Sequence, residues 1–324
     1  MLTLRLAADP AGIARAAALL RAGALVAFPT ETVYGLGANA QDPTAVARVY
    51  AAKGRPADNP LIVHVAGADA IDEWAVANAR ARALARRFWP GPLTLVLPGR
   101  GLFGAPTLAL RMPSQDAALA LIAAAGRPIA APSANRSGRP SPTSAQAVYE
   151  EMQGRIEAVI EGPPAEVGIE STVLDLTHER AQVLRPGGIS SAEIAQALGE
   201  EVGAAQGSAR SPGTRYRHYA PEVEVVLLDD GEPAAAVERA LSARPGSWYI
   251  GLADTAPPGA KGLLAGDLAA LQQALYATLV AAERSRAPVV AVLPPPSPAA
   301  AGVRDRMVRA AGGEMRTVPS REEG

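Results

Sequence analysis

The sequence predicts an α/β protein built from two domains. Short apolar runs alternate with Ala- and Leu-rich stretches of helical periodicity along most of the chain, which is the pattern of α/β folds. A length of 324 residues is greater than that of a typical single domain. From Glu200 to Ser211 the apolar periodicity is lost. We therefore predict a larger N-terminal domain and a smaller C-terminal domain, joined by a linker.

The composition excludes several classes of function. The formal net charge is −1 and aromatic residues make up 4% of the chain, so neither a basic field nor an aromatic surface is available to hold nucleic acid. The absence of cysteine excludes disulfides, thiolate catalysis and Cys-ligated zinc, and it fits a reducing cytosol. The N-terminal segment has the pattern of a strand and an amphipathic helix, not of a secretory signal. No apolar run reaches about 18 residues, so we expect no membrane span and a cytoplasmic protein.

The first candidate binding segment follows a predicted strand, Ala24 to Phe28. Its sequence is PTETVYGLGANA, Pro29 to Ala40, and its proline, glycines and polar residues predict an irregular loop at the strand end. Gly35 and Gly37 would allow positive φ and a close backbone approach. Apolar residues between the polar ones indicate partial burial, and buried hydroxyls need hydrogen-bond partners. The loop therefore offers hydroxyl groups, including that of Thr32, to a small ligand.

A second segment, KGRPADNPLIVH, follows a helix that Asp42 is expected to cap. It ends in a short apolar run, Leu61 to Val65, which predicts a buried strand. Lysine is rare in this chain, because 29 of the 31 basic residues are arginine and only Lys53 and Lys261 are lysine. A lysine at position 53 indicates a need for a compact point charge. Chance is the alternative, and Lys261, in an ordinary loop, illustrates it.

The next elements lead to a second candidate cation. A helix is predicted over Ala75–Arg87, a tight turn over Phe88–Pro92, and strands over Leu93–Leu97 and Thr107–Arg111. Arg111 closes the last of these strands. It is either a charge at the rim of the sheet or a guanidinium that binds a carboxylate in bidentate fashion. The residues by themselves favour the rim.

A third candidate segment, PSANRSGRPSPTS over Pro132–Ser144, follows a short predicted strand, Pro128–Ala131. Hydroxyls, an amide and two arginines crowd this loop, which then enters a helix. Such groups bind phosphate oxygens, and helix N-terminal amides assist them. A disordered Ser/Pro linker is the alternative. Against it, three of the four asparagines, Asn39, Asn59 and Asn135, fall in the three segments described, which indicates a shared polar site.

Two more predicted strands carry polar residues at their ends. Val167–Leu176 places Ser171 before a strand, and Val183–Ser190 places Arg185 before a Gly-Gly turn and a helix. The sequence GIEST lacks the G-x-S-x-G spacing of a nucleophile elbow. We therefore interpret Ser171 as a binding hydroxyl or a plain strand-end residue, and not as a nucleophile.

The C-terminal part has the pattern of a small βαβ domain. Strands predicted over Val223–Leu228, Ser247–Leu252 and Val289–Leu293 alternate with helices near Ala234–Ala243, Leu268–Ala282 and Ala300–Ala311. Neither G-x-G-x-x-G nor a Walker A lysine loop is present, so we assign this domain no nucleotide site of its own. The linker before it contains SPGTRYRHYAP, whose tyrosines and basic residues predict that it docks against another surface.

Together the strand-end segments offer two sets of ligand-binding groups. The set for a polyanion comprises Lys53, Arg55, Asn59, Ser133, Asn135, Ser141 and Arg185, and the set for a smaller polar ligand comprises Thr32, His64, Arg111 and Ser171. Without a P-loop or paired metal carboxylates, spacing by itself predicts only the binding of a phosphorylated small molecule.

The chain closely resembles the YrdC-like threonylcarbamoyl-AMP synthases in their long form. It has four motifs of that family in order: PTETVYGLGANA, KGRPADNPLIVH, PSAN and SPGTRYRHYAP. The resemblance covers nearly the whole chain, and the four motifs together are specific. It implies a twisted, open mixed sheet with helices over residues 1–205, a docking linker over 206–221 that closes over a cavity, a smaller Rossmann-like α/β domain over 222–318, and a frayed tail over 319–324.

The resemblance also implies a reaction. L-Threonine, bicarbonate and ATP give L-threonylcarbamoyladenylate and pyrophosphate, the first stage in making N6-threonylcarbamoyladenosine in tRNA. Mg²⁺ would accompany ATP without dedicated protein ligands. The partners would be the small substrates and a downstream threonylcarbamoyl-transfer machinery, with tRNA involved only indirectly.

Residue roles are carried over position by position. ATP would be bound by Lys53, Arg55, Asn59, Thr107, Ser133, Asn135, Ser141, Arg185 and Tyr219, with Lys53 and Arg55 as catalytic residues. L-Threonine would be bound by Thr32, His64, Arg111 and Ser171. In this assignment Arg111 pairs with the carboxylate of threonine, which reverses its interpretation as a rim charge. Thr214 and Arg215 depart from the more apolar, lysine-containing pair of the family.

Two alternatives remain, one from another functional class and one within enzymes. One is an RNA-binding module, which the charge and the scarcity of aromatic residues oppose, and which a steep salt dependence of tRNA affinity would support. The other is an enzyme that forms a carbamoyl adenylate from a different amine or carbamoyl donor, which a panel of substrates would reveal.

Overall fold

The computed structural model describes residues 1–204 and 219–312, which form two compact units. The first unit comprises residues 1–137 and 141–204, and the second comprises residues 138–140 and 219–312. Most of the predicted linker and the whole predicted tail lie outside the described residues. The predicted domain boundaries therefore stay predictions. None of the described helices combines the length and the apolar composition needed to cross a bilayer.

The first unit mixes strands and helices along its whole length. Its described elements are β1 (Leu4–Ala7), α1 (Pro10–Arg21), β2 (Val26–Phe28), β3 (Gly35–Asn39), α2 (Pro43–Lys53), β4 (Ile62–His64), α3 (Ala70–Trp74), α4 (Ala79–Phe88), β5 (Leu93–Pro98), β6 (Thr107–Arg111), α5 (Asp116–Ala125), β7 (Ile129–Ala130), α6 (Ala145–Met152), β8 (Ala158–Glu161), β9 (Thr172–Asp175), β10 (Gln182–Arg185), α7 (Ser191–Leu198) and β11 (Gly203–Ala204).

These strands form one mixed sheet in the order β1-β8-β2-β3-β7-β4-β6-β5-β9-β10-β11. Strand β2 shows why the core has two layers, because alternate side chains of a strand point to opposite faces. Val26 and Phe28 pack into the cluster that contains residues of α1 and α5. Ala27 packs into the other cluster, which contains Val49 of α2 and Leu84 of α4. Helices thus cover both faces of an open sheet, which confirms the predicted fold class.

The helix that leads to the second candidate segment forms as its sequence predicts. Asp42 is the N-cap of α2, and its side chain accepts hydrogen bonds from the amides of Thr44 and Ala45. Pro43 occupies the first turn, where its missing N–H leaves no bond unmade. The helix ends at Lys53, because Gly54 adopts the left-handed conformation that commonly terminates helices. Both ends are therefore encoded locally.

The prediction that residues 29–40 form one irregular loop is wrong in its second half. Residues 35–39 form β3, which pairs antiparallel with β2. Neither Gly35 nor Gly37 has a positive φ. Their small size matters instead, since a Cβ at Gly37 would lie 2.9 Å from Cγ2 of Ile129 and 2.9 Å from Cε1 of Phe28.

The helix predicted from Ala75 begins later. Ala75 is extended and forms an isolated bridge with Gly99, and Asn78 caps α4 through the amide of Ala81. Helical periodicity continues through this segment, but Asn78 supplies the stronger start signal, because asparagine is a preferred N-cap residue. The strands predicted over Leu93–Leu97 and Thr107–Arg111 are confirmed.

The second unit is a small parallel α/β structure. Its described elements are β12 (Val225–Leu228), α8 (Ala234–Ser242), β13 (Trp248–Leu252), β14 (Gly262–Ala265), α9 (Leu268–Arg284), β15 (Val289–Val292) and α10 (Ala301–Ala310). The strand order is β12-β15-β13-β14, and every pair is parallel. The sequence analysis missed β14, because a four-residue strand that begins with glycine gives a weak signal.

We expect Gly37→Ala to destabilise the first unit by about 1–3 kcal/mol, because the new methyl group would overpack against Ile129 and Phe28. Urea denaturation followed by circular dichroism measures the loss. Gly67→Ala is the matched control, since no atom beyond Gly67 itself and its two chain neighbours lies within 4 Å of its Cβ position. Equal urea midpoints for the two variants would show that the surroundings of Gly37 have room for a methyl group, contrary to the 2.9 Å distances.

Candidate active site

The sheet brings several candidate residues to one of its edges. The last residues of the parallel neighbours β4 and β6, His64 and Arg111, are paired in register. Strand β5 is antiparallel to β6 and parallel to β9, so the start of β9, next to Ser171, lies at the same edge. Arg185, at the end of β10, pairs with Val173 of β9. Strand topology thus collects residues that are far apart in sequence.

Lys53 is buried at the C-terminus of α2, where a positive charge interacts favourably with the helix dipole. Its Nζ donates hydrogen bonds to the backbone carbonyls of Ser133 and Asn135. Burial lowers the pKa of Lys53 well below its usual value, and the positive charge of Arg55 lowers it further. An ammonium has three donors, so one remains for an anionic ligand, whose charge would in turn favour the protonated form.

Arg55 and Asn59 are hydrogen-bonded to each other in the loop after α2. Nη2 of Arg55 donates to Oδ1 of Asn59 at 2.6 Å and to the carbonyl of Pro60 at 2.9 Å. Asn59 is 1% exposed, and its amide nitrogen Nδ2 has no hydrogen-bond partner among the described residues. A buried donor of this kind needs an acceptor, so this amide is available to an oxygen of a ligand.

Ser141 is fully buried, and its hydroxyl donates to Oε1 of Glu170 at 2.5 Å. Glu170 is itself buried, and its negative charge is among the influences that raise the pKa of Lys53, although burial outweighs them. The carboxylate therefore orients the serine hydroxyl and partly balances the buried positive charge.

Ser171 connects two other buried polar side chains. Its hydroxyl lies 2.8 Å from the hydroxyl of Thr94. Arg185 donates to the backbone carbonyl of Ser171 at 2.9 Å and to its hydroxyl at 3.2 Å. Both residues are at most 5% exposed. The guanidinium is thus fixed against the start of β9.

His64 is buried and neutral. Burial lowers its pKa to about 3, and the positive charge of Arg111 contributes to the shift. Its ring packs edge-on against Phe28 with centroids 6.1 Å apart. Nδ1 has no hydrogen-bond partner among the described residues. His64 is therefore an uncharged polar group available to a ligand, and not a second cation.

Arg111 is 4% exposed and faces a carboxylate. Its Nη2 lies 2.7 Å from Oε1 of Glu31, whose side chain is 5% exposed. Nε of Arg111 also donates to the carbonyl of Gly91 at 3.3 Å. The interpretation of Arg111 as a rim charge is wrong, because the guanidinium lies inside the unit, where an unpaired charge would be unstable.

Thr32 is fully buried in the loop that also carries Glu31. Its hydroxyl lies 2.8 Å from the hydroxyl of Thr30, which donates to the carbonyl of Val33 at 2.6 Å. The loop is pinned by backbone bonds, since the amide of Val167 donates to the carbonyl of Glu31 at 2.7 Å. The predicted burial of the hydroxyls is confirmed.

Two of the predicted site residues are not brought to this edge by the contacts described. Thr107 is exposed and begins β6, about 13 Å from Arg111 at the other end of the strand. Tyr219 belongs to the second unit, where it is buried, stacks on Tyr276 with centroids 5.5 Å apart, and lies under the guanidinium of Arg306. The ATP-binding roles assigned to Thr107 and Tyr219 stay predictions.

Three polar residues of the site were missed by the sequence analysis. Glu31, Thr94 and Glu170 are all buried and contact Arg111, Ser171 and Ser141 respectively. Glu31 stands between two threonines in a candidate segment and could have been singled out. Thr94 looks like an ordinary strand residue, and only the pairing of β5 with β9 reveals it.

The buried cations, amides and hydroxyls form a candidate site for anionic small molecules in an open α/β sheet. Comparison with known proteins gives the family. The family model described as "Telomere recombination", Sua5_yciO_yrdC, matches residues 18–187. A second, described as "Threonylcarbamoyl-AMP synthase, C-terminal domain", matches residues 189–312. The chain belongs to the Sua5/YciO/YrdC family, in the form that carries this C-terminal domain.

Individual relatives agree with the family. The threonylcarbamoyl-AMP synthase of Pyrococcus abyssi is 51% identical over 227 residues, covering 66% of this chain and 67% of that protein. The threonylcarbamoyl-AMP synthase of Bacillus subtilis is 44% identical over 256 residues, covering 75% of this chain and 74% of that protein. The crystal structure of P. abyssi Sua5 complexed with L-threonine matches with a TM-score of 0.88 and 38% identity, covering 98% of this chain and all of that one.

The depressed pKa of His64 predicts a stability that depends on pH. Between pH about 6.5 and 3 the unfolded chain binds a proton that folded His64 does not, so stability falls as the pH falls through this window. Between pH 7 and 5 we expect the wild type to lose about 2 kcal/mol more than His64→Gln. Urea denaturation at both pH values measures the difference.

The matched control is His178→Gln, because the side chain of His178 is 57% exposed. This variant should keep the acid sensitivity of the wild type. Parallel stability profiles for wild type and His64→Gln would contradict the burial of a neutral imidazole.

Proposed function

We propose that this protein is an L-threonylcarbamoyladenylate synthase. L-Threonine, bicarbonate and ATP would give L-threonylcarbamoyl-AMP, pyrophosphate and water. The observation that carries the proposal is Lys53, a buried ammonium fixed between two backbone carbonyls with a donor left for an anion. The relatives named threonylcarbamoyl-AMP synthase support ATP as the anion. The structure of P. abyssi Sua5 complexed with L-threonine supports L-threonine as the second substrate.

ATP would bind along the loops around Lys53. Lys53 and Arg55 would neutralise phosphate charge, and the unpartnered amide of Asn59 would donate to a phosphate oxygen. Further contacts would come from Ser133, Asn135, Ser141 and Arg185. The hydrogen bond from Ser141 to Glu170 and those from Arg185 to Ser171 fix two of these side chains before substrate binds, which reduces the reorganisation needed for catalysis.

L-Threonine would bind at the ends of β4 and β6. The guanidinium of Arg111 would pair with its carboxylate, a geometry for which arginine is well suited. The hydroxyls of Thr32 and Ser171 and the neutral imidazole of His64 would contact its amine and hydroxyl groups. All four residues are buried, so the substrate would exchange water for fixed polar partners.

The reaction would proceed through a carbamate. The ammonium group of threonine would lose one proton, which forms water with the hydroxide left when bicarbonate gives carbon dioxide. The amine would attack the carbon dioxide and lose a second proton as the carbamate forms. A carbamate oxygen would then attack the α-phosphorus of ATP in line, and pyrophosphate would leave with that second proton. The protein would supply position and charge neutralisation and no covalent nucleophile. The carbamate is labile in water, which makes exclusion of solvent from the site useful.

Mg²⁺ would accompany ATP. No group of three metal-ligating side chains occurs in the part of the chain that the structure describes. Mg²⁺ keeps several waters and is commonly held by substrate phosphates, so the phosphates of ATP would be its main ligands. The product would pass to a threonylcarbamoyl transferase in the cytoplasm, and tRNA would be involved at that later step.

The test is pyrophosphate release from ATP by the purified full chain with Mg²⁺ and bicarbonate. We expect release to require both L-threonine and bicarbonate, and to be much slower with L-serine or glycine. Pyrophosphate release that does not depend on bicarbonate, or that is faster with another amine in a panel of substrates, would contradict the proposal. Either result would indicate a different adenylate-forming reaction.

We expect Lys53→Ala to lower kcat/KM for threonine-dependent pyrophosphate release by about 10²–10³-fold, the usual loss for a preorganised charge-stabilising donor. Lys53→Arg should recover little, since a planar guanidinium does not fit the two-carbonyl position of a compact ammonium. The matched control is Lys261→Ala, because Lys261 is the other lysine of the chain and is exposed. Near-normal turnover by Lys53→Ala would contradict the assignment.

A further inference from the structure

The carboxylate of Glu31 is buried beside the proposed threonine site without a full set of partners. Its side chain is 5% exposed. Neither Oε1 nor Oε2 accepts an aligned hydrogen bond from any described residue. Ionised carboxylates rarely stay buried without donors, and such atoms in a native structure call for an explanation.

The contact between Glu31 and Arg111 does not supply that explanation. Nη2 of Arg111 and Oε1 of Glu31 are 2.7 Å apart, yet neither atom takes part in an aligned hydrogen bond within the described residues. Removing two charges from water is expensive unless good geometry and further hydrogen bonds compensate. The pair is therefore close enough to balance charge and too poorly aligned to satisfy either group.

Among the contacts described, Glu31 is the negatively charged group closest to the guanidinium of Arg111. His64 is neutral, because its pKa is lowered to about 3. Thr32, next in the loop, and Ser171 offer hydroxyls without charge. The local charge is thus one positive and one negative group in contact, inside a buried polar site.

An α-amino acid has the complementary arrangement. Its carboxylate and ammonium are attached to the same carbon, and its net charge is zero. Arginine alone would accept any small carboxylate, whereas an arginine with an adjacent carboxylate matches both charges of the zwitterion. Each protein group would then exchange a misaligned contact for a hydrogen bond to an oppositely charged substrate group.

We propose that Glu31 binds the α-ammonium group of L-threonine, as the counterpart of Arg111 at the carboxylate. Glu31 is then a specificity-determining and positioning residue, which makes the site select an α-amino acid over the α-hydroxy acid of the same shape. Carbamate formation removes two protons from the α-ammonium nitrogen in all, and the one N–H that remains can still donate to Glu31. This inference rests on the proposed function.

The test is a comparison of two ligands with wild type and Glu31→Gln. The ligands are L-threonine and the 2,3-dihydroxybutanoate of matching configuration, in which a hydroxyl replaces the amine. Binding to the full chain is measured by titration calorimetry without ATP or bicarbonate. We expect the wild type to prefer threonine by about 100-fold, and the variant to lose about 10–100-fold in threonine affinity, the usual effect of a hydrogen bond to a charged group.

The affinity of the variant for the hydroxy acid should stay equal to that of the wild type or rise, so that the preference for threonine collapses. If Glu31 had a purely structural role and only oriented Arg111, the variant would lose affinity for both ligands by the same factor. The preference for threonine would then stay unchanged. That result overturns the inference, as does an unchanged threonine affinity.

Two controls separate folding and function from this inference. Glu73→Gln is the matched variant, since Glu73 is an exposed glutamate of the same unit, and it should behave as wild type. Unaltered ATP affinity in Glu31→Gln would show an intact fold. Suppose that the wild type releases pyrophosphate with threonine, but Glu31→Gln keeps the wild-type ratio of threonine affinity to hydroxy-acid affinity. Only the proposed role of Glu31 then fails. If the wild type does not bind threonine, the proposed function and this inference both fail.

Discussion

The buried ammonium of Lys53 is the interaction on which the organisation of the site depends. It joins the end of α2 to the loop after β7 through the carbonyls of Ser133 and Asn135. The backbone repeats the connection, since the amide of Ser137 donates to the carbonyl of Lys53 at 2.8 Å. A charge in this position loses its hydration, and burial lowers the pKa of Lys53 accordingly. Two fixed carbonyl dipoles and the C-terminus of a helix compensate part of that loss.

The other candidate loops are fixed in a related way. The amide of Tyr34 donates to the carbonyl of Pro142 at 2.9 Å, and the amide of Ala134 donates to the carbonyl of Tyr34 at 2.8 Å. These irregular segments thus form backbone hydrogen bonds with one another, which satisfies amide and carbonyl groups that would otherwise lack partners. Side chains carried on them are held in position before any ligand arrives, which is what electrostatic catalysis of adenylate formation needs.

The buried positive charges of Arg111 and Lys53 each have a buried carboxylate nearby. Arg111 lies beside Glu31, and Glu170 accepts a hydrogen bond from Ser141 and partly offsets the charge around Lys53. Buried charges are tolerated in proteins when they are paired. In the proposed function, the same pairs would let the site bind a substrate that carries both charges, because each buried ion could contact an oppositely charged group of the substrate.

The sequence by itself determined the α/β class, the limits of α2 and the segments that carry polar groups, because hydrophobic periodicity, Asp42 with Pro43, and Gly54 act locally. It also singled out Lys53 by residue type, and the role of Lys53 in binding ATP stays a prediction. Only the tertiary structure decided that Gly35–Asn39 becomes a strand and that Arg111 is buried. The same holds for the partners Thr94, Glu31 and Glu170. Their roles follow from which strands are neighbours, and strand pairing joins residues whose separation in sequence carries no signal of contact.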